Sequence, residues 1–239
     1  MIIKELLQRL HTLFDKEVGS RDTPLSDRHI YNKLLTVRKQ LLKSYYDKYR
    51  KFDPFSYITL DCVELIEAMP YECPCVPSYG CKILRSKEKI PKIIMMGNKL
   101  AISSVSTIDG SIIFNETTWS QKQFKKGAKY TANKPDYFFR NDYLYITNNS
   151  KLGLVSITAI FEDIIKARQF NTYCSKNNNS SEKCLPAYEY DFVINGDLED
   201  TLIQIAIQEL IGVFKSGNPE FMRRGNNQQQ QQQQQESNE

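Results

Sequence analysis

The segment Ser26–Lys51 constrains the fold most, because it is the longest uninterrupted helical pattern in the chain. At 1.5 Å of rise per residue, its 26 residues would form a helix about 39 Å long. Ser26 is a suitable N-cap, and the residue before Pro54 is disfavoured in the α region, so the helix should end near Asp53. Apolar residues spaced by three and four form one face of this helix: Ile30, Leu34, Val37, Leu41, Leu42, Tyr45 and Tyr49.

The opposite face of this helix is basic. The segment has eight Lys or Arg residues against two Asp residues, whereas the formal net charge of the whole chain is only +4. We therefore expect a local contact with DNA or with an acidic protein partner. The candidate contact residues are Arg28, Lys33, Arg38, Lys39 and Lys43.

Two further helices are predicted at the ends of the chain. Residues 1–18 form an amphipathic pattern that should pair with the long helix as an antiparallel hairpin. Leu198–Phe214, with Asp197 as its N-cap, is apolar around most of its circumference, and one hairpin offers too little cover for it. We therefore predict an interface with a second subunit, formed by Ile30, Leu34, Val37, Leu41, Leu42, Tyr45, Leu202, Ile205, Leu210 and Ile211.

The middle of the chain has the period-2 alternation of β-strands, first at Ile58, Leu60 and Cys62. Asp109-Gly110 predicts a hairpin with a type I′ turn, and Asn141-Asp142 predicts another turn. Further segments predict strands or a short helix: 100–107, 111–114, 137–139, 143–146, 152–161 and, for the helix, 162–170. These elements indicate a small, mostly antiparallel β domain.

The fold class is therefore α+β, with a helical bundle built from the N- and C-terminal segments and an inserted β domain. The predicted organisation is a helical hairpin over 1–54, the β domain over 55–190 and a helix completing the bundle over 191–224. Residues 225–239 are rich in Asn and Gln, and they lack the apolar groups that would offset the entropy of ordering. We expect this tail to be disordered.

No motif in the sequence indicates catalysis. The two histidines, His11 and His29, have no nucleophile motif nearby, and the phosphate-binding, zinc-protease and nucleophile-elbow patterns do not occur. Cys73 and Cys75 are spaced more closely than the ligands of structural zinc sites usually are. We therefore predict a non-enzymatic protein without a metal or a cofactor.

The N-terminus does not have the pattern of a secretory signal, so the six cysteines are expected to be free thiols. No apolar run approaches the roughly 18 residues that would span a bilayer, and we expect no membrane contact.

Two more basic clusters occur in the β region. One runs from Lys82 to Lys99, and the other, from Lys122 to Lys134, lies among Trp119, Phe124 and Tyr137. Cations among aromatic residues could bind single-stranded nucleic acid through phosphates and base stacking. The alternative is a solvated strand surface whose aromatic residues belong to the core.

Several stretches, taken in order, resemble one family of proteins. They are LSDRHIYNKLLTVRKQLLK, CKILRSKEKIPK, ISSVSTIDGS, YFFRNDYLYITNNSKLGLVSITAIFED and DLEDTLIQIAIQELI. Together they are similar to the head-to-tail connector, or tail adaptor, proteins of tailed bacteriophages, and most of all to the ring proteins of crAss-like phages. The resemblance covers residues 25–215, and the Gln-rich tail has no counterpart in the family pattern.

The resemblance implies a structural virion protein, assembled in the host cytoplasm and located in the neck below the portal. It would form a homo-oligomeric ring of about twelve copies that joins head to tail, contacts the portal and other neck or tail proteins, and lets DNA pass. Ser26–Lys51 and Leu198–Phe214 would be the ring-forming helices. The alternative function is that of a basic nucleic-acid-binding accessory protein without enzymatic activity.

Overall fold

The computed structural model describes residues 1–18, 25–68, 83–118, 120–121, 134–147, 151–170 and 185–217. These residues form four α-helices and a mostly antiparallel sheet, which confirms the α+β class. The chain divides into two compact units. Met1–Ser44 with Ile194–Glu239 is called the helical unit, and Tyr45–Val193 the sheet unit.

The helices begin and end close to the residues that the sequence predicts. They are α1 Ile3–Val18, α2 Asp27–Tyr49, α3 Ile164–Phe170 and α4 Gly196–Gly217. The prediction of Asp197 as the N-cap of α4 is wrong, because Asp197 lies within the helix and its N–H donates to the side chain of Asn195 at 3.2 Å. The Oγ of Ser26 accepts a hydrogen bond from the backbone N–H of His29 at 3.3 Å, which confirms Ser26 as the N-cap of α2. α1 buries its apolar stripe, with Ile3, Leu6 and Leu10 all 0% exposed.

Within the helical unit, α1 packs most closely against α4 rather than α2, so the predicted α1–α2 hairpin is not the main helix pair. Arg9 contacts Asp200 at 3.3 Å, and the rings of Phe14 and Phe214 meet edge to face at 5.7 Å. From the first contact to the second, the residue numbers increase in both helices, so α1 and α4 run in the same general direction. α2 is joined to α1 by His11 and Asp27 (2.8 Å), and to α4 by Lys33 and Glu209.

The sheet unit contains nine described strands. They are β1 Ile58–Glu67, β2 Leu84–Ser86, β3 Met95–Met96, β4 Lys99–Leu100, β5 Ile102–Ser106, β6 Asn115–Glu116, β7 Asp136–Arg140, β8 Tyr143–Thr147 and β9 Leu154–Ala159. Seven of them form one sheet in the order β5-β9-β1-β2-β8-β7-β6, and β3 and β4 pair separately. Every pair is antiparallel except β6–β7, which is parallel.

The segment 112–117 joins the two edges of this sheet. At its start the N–H of Phe114 donates to the carbonyl of Val105 in β5 at 2.8 Å. Three residues later the N–H of Thr117 donates to the carbonyl of Tyr137 in β7 at 2.9 Å. The sheet thus closes on itself at this segment, and the hydrogen-bonding groups of β5 and β7 are paired there instead of forming open edges.

The core of the sheet unit lies on the inner side of β9 and β1. Val155, Ile157, Ala159 and Phe161 are all 0% exposed, so every second residue from 155 to 161 faces the core, as in a strand with one buried face. α3 packs against β1. On the other half of the sheet, the rings of Phe138 and Tyr145 stack at 5.0 Å.

The two predicted turns differ in type. Asn141 and Asp142 have φ of 52° and 65°, and Arg140 pairs with Tyr143, so this two-residue loop is the type I′ turn. The prediction of type I′ at Asp109-Gly110 is wrong. There only Gly110 has a positive φ (68°), and the pair formed by Thr107 and Ile112 encloses four residues.

Cys62 in β1 is disulfide-bonded, so the expectation of six free thiols is wrong. The other five cysteines lie outside the described residues. Most of the 122–134 cluster and the Gln-rich tail also lie outside them. In the described part of the chain, no helix combines the length and apolar character needed to cross a membrane.

Candidate assembly surfaces

The apolar face of α2 is largely used inside the chain. Ile30, Leu34 and Val37 are 0% exposed and Leu42 is 1% exposed. Leu41 and Tyr45 are only half-buried. Four of the six α2 residues predicted to contact a partner subunit therefore belong to the core of the single chain. Only Leu41 and Tyr45 remain accessible to a partner.

The apolar face of α4 is covered near the start of the helix and uncovered near its end. Leu202 and Ala206 are 0% exposed and Leu210 is 3% exposed. At 100° per residue, Val213 lies on the same face, yet it is 58% exposed. Ile205, Ile207, Ile211 and Phe214 are half-buried.

Val213 is a surface residue that the sequence prediction missed. Because α4 is apolar around most of its circumference, the sequence indicates that the rest of the chain leaves some apolar residue exposed. It does not indicate which residue this is. From the predicted α4 set, Leu202 and Leu210 are core residues, while Ile205 and Ile211 remain accessible.

The basic face of α2 is smaller than the sequence indicates. Arg38 is 0% exposed, so its placement on the exposed basic face is wrong. Helical periodicity puts Arg38 beside the apolar stripe, and only the packing of the unit decides that the guanidinium is enclosed. Lys33 is half-buried and forms an ion pair with Glu209 of α4.

Arg28, Lys39 and Lys43 are exposed. At 100° per residue, the three positions fall within about 60° of one another around the helix axis. They form a basic stripe on α2 that can contact phosphate or carboxylate groups.

The first β-region cluster is partly used in local pairs, whereas Lys89, Lys92 and Lys99 are exposed. Lys87 donates to Glu64 at 2.8 Å, and the hydrogen bond and charge of that carboxylate raise the pKa of Lys87. The guanidinium of Arg85 lies 4.5 Å from the ring centre of Tyr143.

Tyr137, proposed as part of a stacking surface, is only 5% exposed. Burial and, to a smaller extent, the charge of Glu116 raise its pKa. Tyr137 is therefore a core residue, as the alternative interpretation predicts.

No group of three or more His, Cys, Asp or Glu side chains within the described ranges could hold a metal ion. A cavity of about 30 Å³ is lined by Cys62, Glu64, Lys87, Glu88 and Phe170. That volume accommodates a water molecule, whereas sites for organic ligands measure roughly 300–1,000 Å³.

Comparison with known proteins places the chain among phage structural proteins. A family model described as phage tail ring protein 2 matches residues 10–232. The chain belongs to this family of ring proteins. The ring protein 2 of Bacteroides phage crAss001 is 28% identical over 208 residues, which are 84% of this chain and 87% of that protein. The family resemblance inferred from the sequence is thus confirmed, and the chain is a ring protein of the crAss-like phage type.

Proposed function

We propose that this ring protein is a non-enzymatic structural component of the virion that forms a homo-oligomeric ring in the neck, below the portal. The ring would join head to tail, let DNA pass and contact the portal and other neck or tail proteins. A ring of about twelve copies is what the resemblance to connector proteins implies. Identical head-to-tail contacts form such a ring when the rotation between neighbouring copies closes.

The observation that carries the ring proposal is the exposed end of the apolar α4 face, together with the family. Val213 is 58% exposed and Ile211 half-buried. A second copy that covered this end would remove apolar surface from water, which stabilises association by about 25 cal/mol per Å² before the costs of association. Leu41 on α2 is a further accessible apolar residue.

A matched pair of variants tests this proposal. Val213→Ser with Ile211→Ser should shift the protein from oligomer to monomer in mass photometry, alone or with its portal. Gln204→Ser with Gln208→Ser changes two exposed positions of the same helix and should leave assembly unchanged. Circular dichroism checks that both variants fold. A wild-type protein that stays monomeric with the portal and on assembled heads would overturn the proposal.

The basic stripe supports a DNA contact within the same function, and it is also the observation that favours the nucleic-acid-binding alternative. Arg28, Lys39 and Lys43 present three cations on one line of α2. Replacing all three by Glu should reduce DNA affinity at low salt and flatten its salt dependence, since fewer counterions are released. If assembly is lost and DNA binding is unchanged, the stripe contacts an acidic protein instead.

A further inference from the structure

A second exposed surface lies where α2 ends, and it belongs to the sheet unit. It comprises Lys48, Tyr49, Arg50, Lys51 and Phe55, and is called the elbow surface. Tyr49 is 51% exposed and Phe55 is 68% exposed. The three cations are exposed and form no ion pair with the described residues. Asp47 is the nearby exposed acid, so residues 47–51 carry a net charge of +2.

The backbone holds this surface in a defined conformation. The N–H of Arg50 donates to the carbonyl of Tyr46 at 2.7 Å, and Arg50 has φ of 55°, a conformation that favours glycine at the end of a helix. The chain therefore keeps a guanidinium where glycine would be less strained. The rings of Tyr46 and Phe52 stack at 4.9 Å beneath this turn.

The turn that carries the exposed Phe55 is also fixed by buried hydrogen bonds. Asp53 is 1% exposed and accepts hydrogen bonds from the N–H of Phe55 and the hydroxyl of Ser56, which is 0% exposed. These buried bonds fix the 3₁₀ turn Pro54–Ser56. An exposed aromatic residue on a fixed turn, close in sequence to three exposed cations, has the composition of an interface anchor with a charged rim.

The same unit carries a surface of complementary composition. Leu185–Asp191, here the acidic turn, contains Glu189 and Asp191 and no basic residue, so its net charge is −2. Both acids are exposed and form no ion pair with the described residues, and Leu185 is 50% exposed. The N–H of Glu189 donates to the carbonyl of Pro186 at 2.9 Å, which closes the turn.

We propose that the elbow surface of one copy binds the acidic turn of the next copy in the ring. The inference depends on the proposed homo-oligomeric function and deepens it. The charges are equal and opposite, and each surface adds exposed apolar groups. A contact between two different surfaces of the same chain is heterologous, and repeating it around an axis closes a ring. Duplex DNA would match the three cations, but its bases are stacked on one another and offer no free face to an exposed Phe55, so a protein occupant is favoured.

Charge exchange tests the contact. In the elbow-reversed variant, Lys48→Glu with Lys51→Glu, the surface repels the acidic turn. In the turn-reversed variant, Glu189→Lys with Asp191→Lys, the turn repels the elbow surface. We expect each variant alone to raise the dissociation constant of the oligomer about tenfold at low salt. An equimolar mixture, or both pairs of changes in one chain, should restore it, because each contact again joins opposite charges.

Lys89→Glu with Lys99→Glu is the control, since it makes the same charge change at exposed lysines of the same unit. Recovery on mixing also shows that each variant is folded. If wild type assembles and the elbow-reversed variant assembles equally well, this inference is overturned while the proposed function stands. A loss that mixing does not repair also overturns the inference, because the elbow surface would then not meet the acidic turn. An unchanged oligomer with weaker DNA binding assigns it to DNA. If wild type does not assemble at all, the proposed function itself fails.

Discussion

Truncating Leu34 should destabilise the helical unit far more than truncating its neighbour Leu35. Leu34 is 0% exposed, and Leu35 is half-buried. Leu34→Ala removes hydrophobic groups worth about 0.8 kcal/mol per methylene and leaves a cavity, so we expect a loss of about 3–4 kcal/mol in the free energy of unfolding. Leu35→Ala loses part of the transfer energy without an enclosed cavity, about 1 kcal/mol.

Urea unfolding followed by far-ultraviolet circular dichroism measures the difference. With a slope of about 2 kcal/mol per molar urea, a difference of about 2 kcal/mol separates the two midpoints by about 1 M. The measurement belongs at concentrations where the chain is monomeric, since assembly adds its own stabilisation. Both variants change the same residue type in the same helix, so helix propensity cancels. Equal midpoints, or a lower midpoint for Leu35→Ala, would refute the assignment of Leu34 to the core.

Three further predictions concern the sheet unit. Asp142→Gly should raise the free energy of unfolding by about 0.5 kcal/mol, measured by urea titration, because glycine suits the second position of a type I′ turn; a loss would contradict that turn type. Hydrogen bonds from Thr107 and Ser111 lower the pKa of Asp109, so this carboxylate stabilises the fold above its unfolded pKa of about 4, and that stability disappears as pH falls through the lower folded pKa. Asp109→Asn should therefore be less stable than wild type at pH 7 and converge with it in acid, and a constant difference across pH would exclude the mechanism. Burial raises the pKa of Tyr137, so stability should be full below its unfolded pKa of about 10 and decline above it. Tyr137→Phe should lose less stability than wild type between about pH 9 and 11, and identical alkaline unfolding curves would argue against a buried hydroxyl.

The helices and most strands follow from local chemistry. α2 begins at Asp27 because Ser26 caps it, and the apolar residues spaced by three and four define its buried face. Asn141 and Asp142 tolerate a positive φ, which explains why that turn was found from the residues alone. In β9 the period-2 pattern identified the inner face at each position from Val155 to Ala159.

Some features required contacts between distant parts of the chain. Residues 111–114 were expected as one arm of a hairpin, and 112–114 do pair with the end of β5. The chain then continues into β6, which pairs with β7, and this second pairing was not predicted. The turn before it holds four residues, and the side chain of Asp109 accepts from the N–H of Ser111 at 3.3 Å. A sequence pattern shows that a segment is extended, but it does not show which edge the segment will pair with.

In the candidate assembly surfaces, too, some features follow from the local sequence and others depend on tertiary packing. The sequence by itself determined that α2 has an apolar and a basic face and that α4 is apolar nearly all round, because these properties depend on spacing along one helix. Only the tertiary structure decided that Arg38 is enclosed, that Leu34 and Leu202 fill the core, and that Val213 is left exposed. Burial depends on which elements cover a residue, and that is a property of packing between segments far apart in the chain.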